Sequence, residues 1–302
     1  MKNALSQQGR LDFSVRPKLQ TIWGFREAAV FSLEGLSVTL FVASMFLNVV
    51  PGMVVGIVLL ITAVLLLLSH LGHPFRAWMA IRNIRRSWVS RGTVMIGAFI
   101  GLGTLYVGAP LVLNLALADW LVSALELMLI LAGIFILLYP GFAMAASPAI
   151  PFWSTGLLPV LSMVNGLASG GIVVLLTYLT LYGQPDARIG PLDASWLQQA
   201  CLALLALITL VYMATMRTAG TAASLSVAYL VKREPLLFWV LAVGAGIVIP
   251  IATVTLTLNL HAAPLGLLWV GVVARLLGDV CGRYAWLKAG IYDAVLQPTR
   301  RV

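Results

Sequence analysis

The sequence predicts an all-α integral membrane protein with eight transmembrane helices, grouped as two four-helix bundles. Three observations predict it. Of 302 residues, 61% are hydrophobic and only 10% charged, and the mean hydropathy is +1.01. A water-soluble fold cannot cover that much apolar surface. Runs of about 20 apolar residues, long enough to cross a hydrocarbon core of roughly 30 Å, recur eight times. Turn-forming residues fall between several of these runs, at Pro51, Gly183-Gln184-Pro185 and Pro264.

Residues 1–24 carry Lys2, Arg10, Arg16 and Lys18 among polar spacers and read as an interfacial arm. A cleavable signal peptide is not expected, because the first apolar run is long enough to stay in the membrane. The spans are placed at residues 25–49, 52–71, 93–113, 119–145, 155–182, 196–216, 235–257 and 263–290, giving a membrane domain over 25–292 and a tail over 293–302. Eight crossings put both ends of the domain on one side, together with the connections after the second, fourth and sixth spans. That side collects most of the cations: the arm and Arg26, then Arg76, Arg82, Arg85, Arg86 and Arg91, then Arg217, Lys232 and Arg233, and finally Lys288, Arg300 and Arg301. The other side shows Arg188 against Asp119, Asp186 and Asp193. Short basic loops beside span ends are retained in the cytoplasm, so the basic face and both termini are expected there. Cys201 and Cys281 lie in different spans without CxxC spacing and read as small core residues.

A titratable side chain inside a span costs several kcal/mol on insertion scales, roughly 2.5–3.5 for Arg or Asp at a helix centre, so each one asks for a reason. Glu27 and Glu34 share a face of the first span. His70 closes the second, and Tyr139 lies in the last two turns of the fourth. Arg275, Asp279 and Arg283 recur every four residues along the eighth. All of these lie in the half of the membrane nearer the basic loops, whereas Glu126 lies near the opposite end of the fourth span. A pocket shared by distant helices is the economical inference. Simpler readings stay open for single residues: an interfacial anchor for His70, an aromatic belt for Tyr139, and a self-neutralised stripe gluing helices for Arg275, Asp279 and Arg283.

Soluble-enzyme signatures such as a Walker loop, HExxH, GxSxG or paired CxxC are absent from the sequence, and no catalytic or metal-ligating residue is expected. Haem is disfavoured, because His70 and His73 lie at the basic end and His261 at the other.

Four stretches resemble one family in the same order. "SHLGHPFRAWMAIRNIRRSWVSRG", residues 69–92, is similar to the helix end and loop of NrfD-type membrane subunits, the group that includes polysulfide-reductase and sulfoxide-reductase anchors. "YPGFAMAASPAIPFWSTGLLP" resembles that family's fourth-helix exit, with Tyr139, Gly141, Trp153 and Pro159 in order. "KREPLLFWVLAVGAGIVIP" and "GDVCGRYAWLKAGIY" resemble its seventh helix and its ending, so the likeness runs from Trp23 to Tyr292.

The resemblance implies a haem-free, metal-free anchor that binds a quinone, menaquinone or ubiquinone, and docks an iron-sulfur subunit with four [4Fe-4S] clusters. That subunit in turn connects to a molybdopterin catalytic subunit, and no nucleic acid is involved. His70 matches a position implicated in menaquinol binding, and Tyr139 matches a tyrosine that contacts quinone. Glu34 and Glu27 join them as expected quinone-binding residues, although Glu34 stands where the family segment usually carries glycine. Arg275, Asp279 and Arg283 are the expected proton path. Arg86, Trp88, Arg91 and Trp153 are the expected docking residues, since Arg and Trp are enriched at interface anchors. The implied location is the cytoplasmic membrane of a bacterium or archaeon.

Two other readings compete. A secondary transporter or channel would use the polar stripe as its path and Gly166, Gly170 and Gly171 as a helix break, but transporter sites lie near the midplane. A purely structural anchor would need no quinone site.

Overall fold

The computed structural model describes residues 17–69, 79, 82–183, 188–189, 192–259 and 265–293. Among them, eight helical segments are long and apolar enough to cross a membrane. His70, His73, Arg76 and His261 lie outside the described residues, as do the first sixteen residues and the tail beyond Asp293.

Strand β1 (Lys18–Leu19) leads into helix α1 (Phe25–Phe46). The Glu27 carboxylate accepts from the Gly24 N–H at 2.7 Å, satisfying a donor at the helix start. Helix α1 is the most buried of the eight and packs against four others. Asn48, with φ of 55°, turns the chain into α2 (Val50–Leu68). Pro51 therefore lies inside the first turn of α2, where its missing N–H costs nothing, rather than between the spans.

Helix α3 (Trp88–Val112) begins five residues before the expected 93, because the Ser87 hydroxyl accepts from the Ser90 N–H and caps the helix there. Trp88 and Arg91 are thus helical and not part of a loop. Helix α4 (Asp119–Ala145) follows, and α5 (Leu157–Tyr182) ends at Gly183 in the left-handed conformation. Two short strands, β2 (Arg188–Ile189) and β3 (Leu192–Asp193), pair antiparallel, and the Asp193 carboxylate caps α6 (Ala194–Thr218) by accepting from Ser195 N–H at 2.7 Å.

A short helix that the apolar pattern did not indicate, α7 (Thr221–Ala228), lies before the seventh span. That span starts as a wide π-helix over Leu236–Val248, with the Ile249 N–H donating to Gly244, and continues as α8 (Ile249–Asn259). Helix α9 (Leu265–Lys288) is the eighth crossing, and β4 (Ile291–Tyr292) pairs with β1. Gln20 reinforces this clasp, donating from its side chain to the carbonyls of Trp23 (2.7 Å) and Leu287 (2.8 Å).

Two large apolar cores divide the helices into two bundles, with a small third cluster of Leu40, Leu47, Val49 and Val174 between α1 and α5. Phe31, Val38, Phe41, Leu60, Phe99 and Leu129 fill the space among α1–α4. Leu161, Ile172, Leu202, Tyr212, Val254 and Leu268 fill that among α5, α6, the seventh span and α9. The bundles meet where α1 crosses α5 and α9. At this seam a Cβ on Gly35 would lie 2.9 Å from Gly166 Cα, so both must be glycine for the backbones to come this close. Gly246 and Gly278 touch in the same way between the seventh span and α9. Where backbones meet so closely, polar side chains beside the contact are shielded from lipid.

Candidate functional site

Glu34 lies nine residues into α1, about 14 Å along the axis, and Tyr139 lies six residues from the end of α4. Both are buried, with relative exposures of 1% and 4%. The Tyr139 hydroxyl donates to the Glu34 carboxylate, at 2.8 Å from either oxygen. The tyrosine ring is fixed from two sides. Phe31 meets it edge-on at 6.2 Å, and Gly92 of α3 lies so near that a Cβ there would enter the ring. Glycine at 92 is thus the reason the phenol can reach across from α4 to α1.

The α9 stripe packs against one face of α5. Asp279 accepts from Arg283 Nε at 3.0 Å and from the Ser169 hydroxyl at 3.0 Å, and Arg275 lies 3.7 Å away. Arg275 donates to Ser169 Oγ (3.1 Å), to Asn165 Oδ1 (2.8 Å) and to the Gly246 carbonyl (2.7 Å). In an α-helical pattern the donor to Gly246 would be residue 250, which is proline and has no N–H. The guanidinium thus bonds a backbone carbonyl in the turn before Pro250, where the span passes from π-helix to α-helix. Arg283 reaches the hydroxyl and carbonyl of Ser162 at 3.2 and 3.3 Å, and its charge also acts on Glu34. A buried carboxylate between two guanidinium groups, each held by further hydrogen bonds, is a satisfied ionic network. It continues electrostatically into the Glu34–Tyr139 pair.

Beside this network lies a cavity walled by Phe31, Gly141, Ser162, Asn165, Arg283 and Trp286, among others. Its volume is about 50 Å³. Tyr139 and Glu34 are not among its walls, although their neighbours Phe31, Pro140 and Gly141 are.

The other expected residues fall elsewhere. Glu27 caps α1. Trp88 stacks on Phe142 at 4.5 Å, and Arg91 lies over the Trp88 ring at 4.6 Å while donating to the carbonyls of Ile84 and Arg85. Arg86 is exposed beside them. Trp153 is only 2% exposed and donates to the Trp286 carbonyl at 3.0 Å, which leaves no surface of it for a docking partner. Its role is to fix the α5 entry against the end of α9. Ser162, Asn165, Ser169 and Gly92 were not singled out from the sequence. The first three recur at helical spacing between Gly166 and its neighbours, a polar face that could have been matched to the α9 charges.

Eight crossing helices in two bundles, with a sealed polar cluster where the bundles meet in one half of the membrane, define a multi-pass membrane protein built around an internal polar site. The chain belongs to the NrfD family: the family described as polysulphide reductase, NrfD, matches residues 23–293. This family supplies membrane subunits of molybdoenzyme and quinone oxidoreductase complexes, generally as the anchor for iron-sulfur and molybdopterin subunits. Among curated proteins none matches the chain.

Proposed function

We propose that this chain is the quinone-binding anchor of a molybdopterin and iron-sulfur oxidoreductase, passing electrons between a membrane quinone and a docked [4Fe-4S] subunit. The observation that carries the reading is the meeting of Glu34 and Tyr139, which are 105 positions apart in sequence, in one buried hydrogen bond. A bound quinone supplies two-electron, two-proton redox chemistry. The residues of this chain have the complementary tasks. Tyr139, whose single O–H donates to Glu34 here, is proposed to turn it to a ligand oxygen once Glu34 takes up a proton, and apolar walls keep water away. His70, at the end of the same basic-face half, is proposed as a further hydrogen-bonding group. Arg275, Asp279 and Arg283, with Ser162 and Ser169, are proposed to relay protons from this pair along α9.

The docking ledge is proposed at Arg86, Trp88 and Arg91, on the cytoplasmic side of a bacterial or archaeal inner membrane, next to the nearest cluster of the partner. The test is purification of the intact complex. Co-isolation with an iron-sulfur protein and bound quinone supports the reading, and His70→Ala and Tyr139→Phe should then lower quinol-coupled turnover by about 10²-fold while leaving assembly intact. A lone chain that transports a solute in liposomes defeats it, and wild-type rates in both variants would move the site elsewhere.

A further inference from the structure

The wall of the cavity beside the α9 stripe carries an indole N–H with no acceptor among the described residues and a guanidinium with N–H groups to spare. Trp286 is only 8% exposed, lines the cavity, and its indole N–H is buried with no acceptor among the described residues. A buried, unpaired N–H costs about 1–3 kcal/mol, so an unanswered one in a cavity wall marks a place for an acceptor. Arg283 adds to the excess. A guanidinium has five N–H groups, and three of those on Arg283 are engaged, by Asp279 and Ser162. Arg275, also in the wall, is almost fully engaged and 1% exposed. Asp279, the carboxylate bonded to the stripe, spends its oxygens on Arg283, Arg275 and Ser169. The remaining polar walls are Ser162 and Asn165, whose side-chain oxygens accept from Arg283 and Arg275, and the Thr209 hydroxyl, and the rest, including Phe31, Met144, Leu161 and Ile247, is apolar.

We infer that this cavity, between Arg283 and Trp286, is a second-bundle subsite that receives a carbonyl oxygen of the quinone. This inference rests on the proposed function and adds to it a place for an oxygen that the Tyr139 side does not reach. The ligand class follows from the walls. Spare donors and a cationic guanidinium call for an oxygen that accepts and does not donate, and apolar neighbours call for a flat apolar body behind it. Glu34, Tyr139 and Asp279 are the titratable groups that face Arg283 from α1, α4 and its own helix. Arg283 therefore contributes positive charge at both ends of the site. It is a positioning residue for Glu34 and a direct donor to the ligand.

The test uses the purified complex and menadione carrying ¹³C at its carbonyls, followed by infrared difference spectroscopy. In the wild type one carbonyl band should lie below its frequency in free menadione, as a hydrogen-bonded carbonyl does. Trp286→Phe keeps an aromatic ring in the wall, smaller than the indole, and removes the N–H. It should shift that band back toward the free value and raise the menadione Kd by about tenfold, the equivalent of one hydrogen bond. Arg283→Lys keeps the charge and loses the fork, and should shift the same band. Tyr139→Phe should leave that band in place. Menadione bound as tightly as in wild type, with an unmoved band in both Trp286→Phe and Arg283→Lys, overturns the subsite while leaving the quinone reading intact. Failure of the wild-type complex to bind menadione at all overturns both. Displacement of menadione by decanoate at equal concentration would assign the donors to a fatty carboxylate and overturn the subsite.

Discussion

Among the described residues the first bundle holds two carboxylate–phenol pairs of the same chemistry, in its opposite halves. In one, Tyr139 donates to Glu34 with both residues buried, Gly92 shaping the approach and Arg283 acting on the carboxylate. In the other, Tyr106 donates to Glu126 at 2.9 Å, with both side chains half-buried and no glycine cut away to admit the ring. A membrane carboxylate needs only a neighbouring phenol to be tolerated near an interface. The inner pair has much more around it: a cation, a shaped slot and a polar network reaching a second bundle. The difference separates a residue that is merely accommodated from one that a site has been built around.

The largest effect expected from breaking that asymmetry comes from the network behind the inner pair. Asp279→Ala leaves Arg275 and Arg283 buried without their shared counter-charge and should cost about 3–5 kcal/mol, read as loss of monodisperse protein in detergent or a collapsed thermal melt. Tyr139→Phe should cost about 1–3 kcal/mol, because it leaves a sealed carboxylate without its donor. The same change at the outer pair, Tyr106→Phe, should cost no more than about 1 kcal/mol, since Glu126 is only half-buried. Equal melting shifts for the two tyrosine variants would erase the comparison. Gly92→Ala probes the slot directly. Its methyl should push the Tyr139 ring off Glu34 at a cost of about 1–3 kcal/mol and lower quinol-coupled turnover without any chemical group being removed.

The smallest effect lies outside the membrane. Glu234 accepts from the Lys288 ammonium at 2.6 Å, and this bond holds its carboxyl below the usual carboxylate range, against a weaker opposing push from burial. A lowered folded value means the pair stabilises the protein above the ordinary carboxylate range and ceases to as pH falls through the lowered one. The difference in Tm between wild type and Glu234→Gln should correspond to about 0.2–1 kcal/mol near neutral pH and disappear on acidification through the lowered carboxyl range.

Much of this architecture was legible in the residue pattern. Eight spans, the charge asymmetry and the family likeness follow from apolar run length and motif order, and the family match covers the region the motifs indicated. Helix ends were less legible, because a Ser87 cap or a proline in a first turn moves a boundary by several residues without altering hydropathy. The meeting of Glu34 with Tyr139 was inferred only as convergence on one half of the membrane. Which of the several polar groups there touch one another depends on helix rotation, and rotation is set by Gly35, Gly166 and Gly92, whose lack of a side chain carries no periodic signal. Glu27 shows the converse: it shares a face with Glu34 in the pattern, yet its carboxylate turns back to cap its own helix. Trp153 looks like an interface anchor in isolation and is core once α9 is packed on it.

Helix α9 brings two arginines and an aspartate into the hydrocarbon, a burden of several kcal/mol for a helix inserted alone. Its partners Ser162, Asn165 and Ser169 belong to α5, which is synthesised more than eighty residues earlier. During biogenesis the first seven crossings must therefore wait with an open polar groove until the last one arrives to fill it. Closure by β1 and β4 then holds the late arrival in place, so that the internal polar cluster is complete only once the eighth helix has packed.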